Sequence, residues 1–122
     1  MTSKSKETIT KYPASGIDLK DVVGSDVKLN PFINETYLNP DLMTVPKIGE
    51  GTVKDLKKVG ITTTNQLVGK LASFNFDYEE CIEWIKSTIR YNQRKQILDC
   101  LLYKLEMMGF VIPEAPEDWR HM

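Results

Sequence analysis

Apolar residues recur every three or four positions along most of the chain between residues 28 and 109, which is the spacing typical of amphipathic helices. The spacing predicts a helix over residues 52–59 with Val53, Leu56 and Val59 facing the core. An earlier short helix, built around Phe32, is expected to stop near Asn39 because a proline follows. No segment shows the alternation of a half-buried strand. We therefore expect an all-α fold, a compact bundle of about five short helices.

Polar residues predict where the next three helices begin. Thr63 with Gln66 resembles a capping box, and Asp77 with Glu80 repeats that start signal. Asn92 is expected to cap a last, longer helix.

The same period predicts which residues of these helices face inward, and Gly60 and Gly109 are expected to end helices as left-handed caps. The inward positions are Leu67, Val68, Leu71 and Phe74; Tyr78, Cys81, Ile82, Ile85 and Ile89; and Ile97, Leu98, Leu101, Leu102, Leu105 and Met108.

Composition changes at both ends of the chain. Residues 1–27 are polar and predict a flexible amino-terminal arm, residues 28–109 form the helical domain, and residues 110–122 form an extended tail with two prolines. The tail is expected to dock through Phe110, Ile112 and Trp119.

No apolar run approaches the roughly 18 residues of a membrane span, and the polar amino terminus is unlike a secretory signal, so we expect an intracellular protein without membrane insertion.

The segment around Gly49 and Gly51 carries the most specific chemistry. Glycines leave the backbone bare, so a phosphate oxygen can approach the amides of Gly49, Glu50 and Gly51. These amides open a helix, whose first N–H groups lack internal partners and carry the positive end of the helix dipole. Lys54 lies on the same helix and can add a cationic contact. The alternative is a turn that only packs one helix on another.

Charge and cysteine usage narrow the function classes. A net charge of −1 argues against a protein that coats DNA through overall electrostatic attraction. The basic residues, however, are separated from an acidic patch at residues 77–83, so a local basic face is compatible with this charge. Cys81 and Cys100 lack metal-ligand spacing and are interpreted as buried free thiols. The sequence predicts no metal site, no cofactor and no catalytic set, so we do not expect an enzyme.

The order of motifs resembles the barrier-to-autointegration factor family between about residues 28 and 108. The likeness rests on a helix–hairpin–helix and the helices after it. Its motifs are Ile48-Gly49-Glu50, Lys54-Asp55-Leu56 and Val59-Gly60; Leu67-Val68-Gly69-Lys70; Cys81-Ile82-Glu83-Trp84-Ile85-Lys86; and Asn92, Lys95-Gln96 and Asp99-Cys100.

The resemblance implies a compact homodimer that binds double-stranded DNA without sequence preference and bridges two duplexes. It also implies a partner groove for LEM-domain proteins and a place in the nucleus on chromatin, or in a viral factory or virion for a viral member. By this likeness and the basic pattern, the DNA-binding residues would be Lys28, Lys47, Ile48, Gly49, Glu50, Gly51, Lys54, Arg94 and Lys95. The partner-binding residues would be Val68, Gly69, Lys70 and Leu71, and the dimer or core residues would be Trp84, Ile85 and Cys100.

The chain departs from the family pattern in three places that bear on these roles. Lys47 stands where the family has glycine before the hairpin isoleucine, and Leu98 stands where it has arginine. The family tryptophan late in the last helix is absent. The main alternative to a DNA-bridging protein is a helical protein–protein interaction module whose hairpin is only structural.

Overall fold

A computed structural model of the chain describes Gly24 and residues 26–119. Within these ranges the fold is all-helical, compact and without strands, as the periodicity predicted. The helices are α1 (Leu29–Asn34), a 3-10 helix (Leu42–Thr44), α2 (Glu50–Lys57), α3 (Thr64–Ala72), α4 (Tyr78–Thr88) and α5 (Arg94–Met107). The predicted amino-terminal arm falls almost entirely outside the described residues.

Helix α1 ends at Asn34, five residues before the predicted stop near Asn39. The reason lies in α5, where the side chain of Lys104 is buried and its ammonium donates hydrogen bonds to the carbonyls of Phe32 and Glu35. These carbonyls accept hydrogen bonds from Lys104 and not from later residues of a helix. The chain therefore leaves the helix at Glu35, which is extended. Burial lowers the pKa of Lys104.

The chain then forms a 3-10 helix that the sequence pattern did not predict. The Asp41 side chain accepts from the N–H of Met43 at 2.9 Å and caps this short element. The 3-10 helix leads into Val45, which is fully buried in the core four residues before Gly49.

Helix α2 begins at Glu50 and ends at Lys57, two residues earlier at each end than predicted. Gly60 has a φ of 82°, which confirms it as a left-handed terminator, and the N–H of Ile61 bonds the carbonyl of Leu56. Because the helix has already ended, Val59 does not face the core: it is 52% exposed, and the prediction that it is buried is wrong.

Two of the three predicted helix starts are confirmed. Thr63 and Gln66 form a capping box at α3, and the Asp77 side chain accepts from the N–H of Glu80 at α4. The third is wrong: α5 begins at Arg94 after Gln93, and no side chain caps it. Asn92 lies one residue too early, exposed in the turn between α4 and α5.

Helices α4 and α5 pack together to form the centre of the core. Ile85 and Cys100, expected at the core or a dimer contact, are both fully buried inside the subunit. The thiols of Cys81 and Cys100 are free and buried as expected, and burial raises the pKa of each to about 12. Met108 was expected inward, but α5 ends at Met107 and Met108 is 37% exposed.

Gly109 ends α5 with a φ of 100°, and the tail turns back onto the bundle as predicted. Ile112 and Trp119 join the core, at 4% and 6% exposure. Phe110 stays partly exposed but meets the ring of Phe76 edge-on, with centroids 6.1 Å apart.

Candidate nucleic-acid interface

The glycine turn, residues 45–51, connects the 3-10 helix to α2. Its apolar residues anchor it: Val45 and Ile48 are buried, and the N–H of Ile48 bonds the carbonyl of Val45 at 3.1 Å. Ile48 was predicted to contact DNA, yet its side chain is only 1% exposed. The side chain packs in the core, where burial of its apolar surface stabilises the fold, so a contact of Ile48 with DNA stays a prediction for its main chain.

Lys47 adopts a left-handed backbone conformation, which glycine adopts more readily than other residues. Its φ is 72°, a region that costs a residue with a Cβ about 1–2 kcal/mol. The turn thus keeps a glycine-like path without glycine, and something else must hold it there.

The residues just before α1 hold the turn through two side chains. The Asp26 carboxylate accepts the N–H of Lys47 at 3.0 Å with one oxygen and the N–H of Lys28 at 2.9 Å with the other. The ammonium of Lys28 donates to the carbonyl of Ile48 at 2.6 Å. Lys28 therefore lies at the glycine turn, where the sequence placed it, although the two are 20 residues apart in the chain.

Gly49 and Gly51 differ in why they are glycine. Gly49 has an extended backbone, φ −117° and ψ −170°, which any residue adopts, and a Cβ there would meet nothing within 4 Å. A Cβ on Gly51 would lie 2.5 Å from the hydroxyl of Tyr91. The fold itself explains Gly51 through the tyrosine ring, whereas the described part of the chain gives no internal reason for a glycine at Gly49.

Both glycines line a cleft of about 280 Å³. Its walls are Lys47, Gly49, Gly51, Thr52, Tyr91 and Gln93. Tyr91 and Gln93 come from the connection between α4 and α5, a segment that the sequence offers either as a phosphate site or as a solvated helix entry. The basic and aromatic residues framing that connection were the available signal, but the spacing did not show that the connection faces the glycine turn.

Helix α2 opens at the cleft without a side-chain cap, since its first flanking residue is Gly49. Its early amides therefore depend on the approach of an outside group or water. Glu50 is exposed at the first position and Lys54 is exposed one turn later. A carboxylate at Glu50 suits the helix dipole but opposes an anion, while Lys54 favours one.

Arg90 ties α2 to the connection that carries Tyr91. Its main-chain N–H and its Nε donate to the two carboxylate oxygens of Asp55, at 3.0 and 2.9 Å. The main-chain bond, helped by the guanidinium, holds the pKa of Asp55 below its ordinary value, against the opposing effect of burial. The start of α2 and the connection between α4 and α5 form opposite sides of the cleft, and the Arg90–Asp55 pair holds them in place relative to each other.

Two predicted DNA contacts are engaged elsewhere. Arg94 donates to the carbonyls of Lys86 and Ile89 at 3.1 and 3.2 Å, so it closes the carboxyl end of α4. Lys95 is half-buried: its ammonium bonds Asp99 at 3.0 Å and lies 4.4 Å from the centre of the Trp119 ring. Both side chains therefore have partners within the chain, and their contact with DNA stays a prediction.

The residues predicted to bind a partner divide into two groups. Val68 and Leu71 are buried, so their side chains pack in the core, and their part in partner binding stays a prediction. Gly69 is exposed, and the ammonium of Lys70 lies 5.6 Å from the centre of the Trp84 ring. Lys70 and Trp84 share a surface groove of about 490 Å³ whose other lining residues are Val59, Gly60, Ile61 and Gln66.

In the described residues no cluster of His, Cys, Asp and Glu is arranged to hold a metal ion. None of the helices described here is both long enough and apolar enough to cross a membrane. No protein-family model matches the chain, and no curated protein or solved structure matches it either.

Proposed function

We propose that this protein binds double-stranded DNA without sequence preference through the glycine turn. The observation that carries the proposal is Gly49. Its backbone is open, no neighbour among the described residues requires a glycine there, and it lies in a cleft at the start of α2. A phosphate oxygen is the ligand that best fits exposed main-chain amides beside a helix amino terminus.

We infer that the cationic part of the interface rests mainly on three lysines. Lys28, Lys47 and Lys54 surround or adjoin the turn, while Arg94 and Lys95 bind groups of their own chain. One N–H of the Lys28 ammonium goes to Ile48, and an ammonium has three to give. Contacts of this kind read phosphate and not base edges, so no sequence preference should follow.

The proposal includes the wider family likeness: a helix–hairpin–helix fold of the barrier-to-autointegration factor type, a homodimer that bridges two duplexes, a LEM-domain-like partner and a place on nuclear or viral chromatin. Two modest sites held rigidly in a dimer gain avidity, which suits a chain of near-neutral charge. The mechanism has no catalytic step. Sedimentation of the full chain at micromolar concentration tests the dimer, and a monomer would rule out bridging.

The decisive test of DNA binding is Gly49→Glu compared with Gly69→Glu. Both glycines would place a new Cβ in open space, so both variants should keep their helical content in far-UV circular dichroism. A carboxylate at Gly49 should abolish binding to a short duplex, whereas the same charge at Gly69 should leave binding within about threefold. Unchanged binding in Gly49→Glu would show that the glycine turn is not the DNA site.

A second candidate function is protein–protein interaction through the groove that Lys70 and Trp84 line. It is favoured by the exposed Val59 at the edge of that groove. Salt separates the two functions, because phosphate contacts release counterions and make affinity fall steeply with added salt. A duplex affinity that is absent, or independent of salt, would favour the interaction module.

A further inference from the structure

We propose that Asp26 is the positioning residue of the glycine turn, holding Lys47 in the left-handed conformation so that the cleft keeps its shape. The inference rests on the proposed function, but it concerns a residue that contacts no DNA in that proposal. Asp26 stands 21 residues before Lys47 and reaches it across the fold.

The geometry places one carboxylate where two chain segments meet. One oxygen of Asp26 accepts the N–H of Lys47 at 3.0 Å, and the other accepts the N–H of Lys28 at 2.9 Å. Hydrogen bonds that a carboxylate accepts from main-chain N–H groups are stronger than those between neutral groups. They are therefore suited to offset the cost of the left-handed conformation at Lys47, where φ is 72°.

The consequence for the cleft follows from the order of residues. Lys47 precedes Ile48, which is locked in the core, and Gly49, which opens α2. If Lys47 relaxed to an ordinary conformation, the path into Gly49 would change while the core contacts stayed. Binding that requires the observed path would then weaken in proportion to the population that retains it.

Charge alone predicts the opposite result. Removing a carboxylate beside Lys28 and Lys47 raises the local positive potential, which should strengthen binding to a polyanion. The sign of the change in affinity therefore separates positioning from simple electrostatics.

The experiment is a double-mutant cycle of Asp26→Ala and Lys47→Gly in the full chain. Asp26→Ala should weaken duplex binding about tenfold, the factor that corresponds to about 1.4 kcal/mol. In the Lys47→Gly background, where the left-handed conformation carries no penalty, the same change should weaken binding by less than about threefold. Asp77→Ala removes a similar side-chain cap at the start of α4, the end of that helix opposite the connection that carries Tyr91, and it should leave duplex affinity unchanged.

Amide hydrogen exchange and thermal unfolding give readouts that do not depend on DNA. Asp26→Ala should accelerate exchange of the Lys47 N–H at least tenfold, and it should lower Tm less in the Lys47→Gly background than in the natural sequence. If the natural protein binds no duplex, the proposed function fails and these two measurements still decide the role of Asp26. Tighter binding in Asp26→Ala, or equal effects in both backgrounds, would overturn the inference.

Discussion

Arg90 donates two hydrogen bonds to the Asp55 carboxylate, from its main-chain N–H at 3.0 Å and from its Nε at 2.9 Å, although the two residues are 35 positions apart. The carboxylate is buried, whereas the Arg90 side chain is 64% exposed. The pair joins the middle of α2 to the connection that carries Tyr91, so the shape of the cleft depends on the ionisation of one carboxylate.

Asp55→Asn should destabilise the protein at neutral pH and make it less sensitive to acid. The folded pKa of Asp55 lies below its ordinary value of 3.8, so its contribution is present above that value and is lost as pH falls through the folded pKa. Urea unfolding across this pH range should show the two proteins converging as the solution becomes acidic. Glu83→Gln, at an exposed site on α4, serves as the control and should change little at any pH. A constant difference between Asp55→Asn and the natural protein would contradict the assignment.

Lys47→Gly should stabilise the fold by about 0.5–1 kcal/mol. Removing the Cβ from the left-handed position raises the free energy of unfolding by about 1–2 kcal/mol. The greater conformational freedom of glycine in the unfolded chain offsets part of this gain. Lys57→Gly, in the last turn of α2, should instead cost about 1 kcal/mol. Denaturant midpoints measure both, and a loss of stability in Lys47→Gly would show that the positive φ carries no strain.

Gly51→Ala should destabilise by about 1 kcal/mol because the new methyl group meets the Tyr91 ring. The ring is 45% exposed, so it can move aside, and the cost should stay moderate. In a Tyr91→Ala background the same substitution should cost almost nothing, which a double-mutant cycle in urea would reveal. Equal costs in the two backgrounds would mean that the Tyr91 ring does not restrict Gly51.

Cys81 and Cys100 should react with a thiol reagent only when the protein unfolds. Both thiols are buried, and burial raises the pKa of each to about 12, so neither is a thiolate near pH 8. The reaction rate at about pH 8 should match the rate of unfolding, and both thiols should react at once in denaturant. Fast modification of one thiol in the native protein would point to local opening at that helix.

Trp119→Ala should cost about 3 kcal/mol, because Trp119 is buried and packs beside Tyr78, with ring centroids 6.4 Å apart. Phe110→Ala, at the partly exposed start of the tail, should cost about 1 kcal/mol. Thermal unfolding compares the two. Similar small losses would show that the tail adds little to the stability of the bundle.

The helical class and two helix starts were predictable because they depend on neighbours in sequence. The capping box at Thr63 and the cap at Asp77 act within three residues, and the inward stripe of α4 follows directly from its period. The early end of α1 was not predictable, because it depends on Lys104, about 70 residues later.

The candidate site was predictable only where the main chain itself makes it. The two glycines at positions 49 and 51 indicate an open turn, and the structure brings Lys28 to that turn. Asp26 and Tyr91 reach the turn across the fold, so no local spacing reveals them. Arg94 and Lys95 are a second case in which local sequence is not enough. Their position near a helix start does not reveal which carbonyl or carboxylate of the same chain they will contact.

The anchoring of Ile48 by its side chain in the core and by its carbonyl on Lys28 has a kinetic consequence. Ile48 links Lys47 and Gly49, which line the cleft, so fixing Ile48 keeps this side of the cleft from adapting to an incoming molecule. The molecule must therefore arrive in the correct orientation or dissociate. Association with the cleft should therefore follow a single phase, with a rate proportional to ligand concentration and no slow rearrangement afterwards.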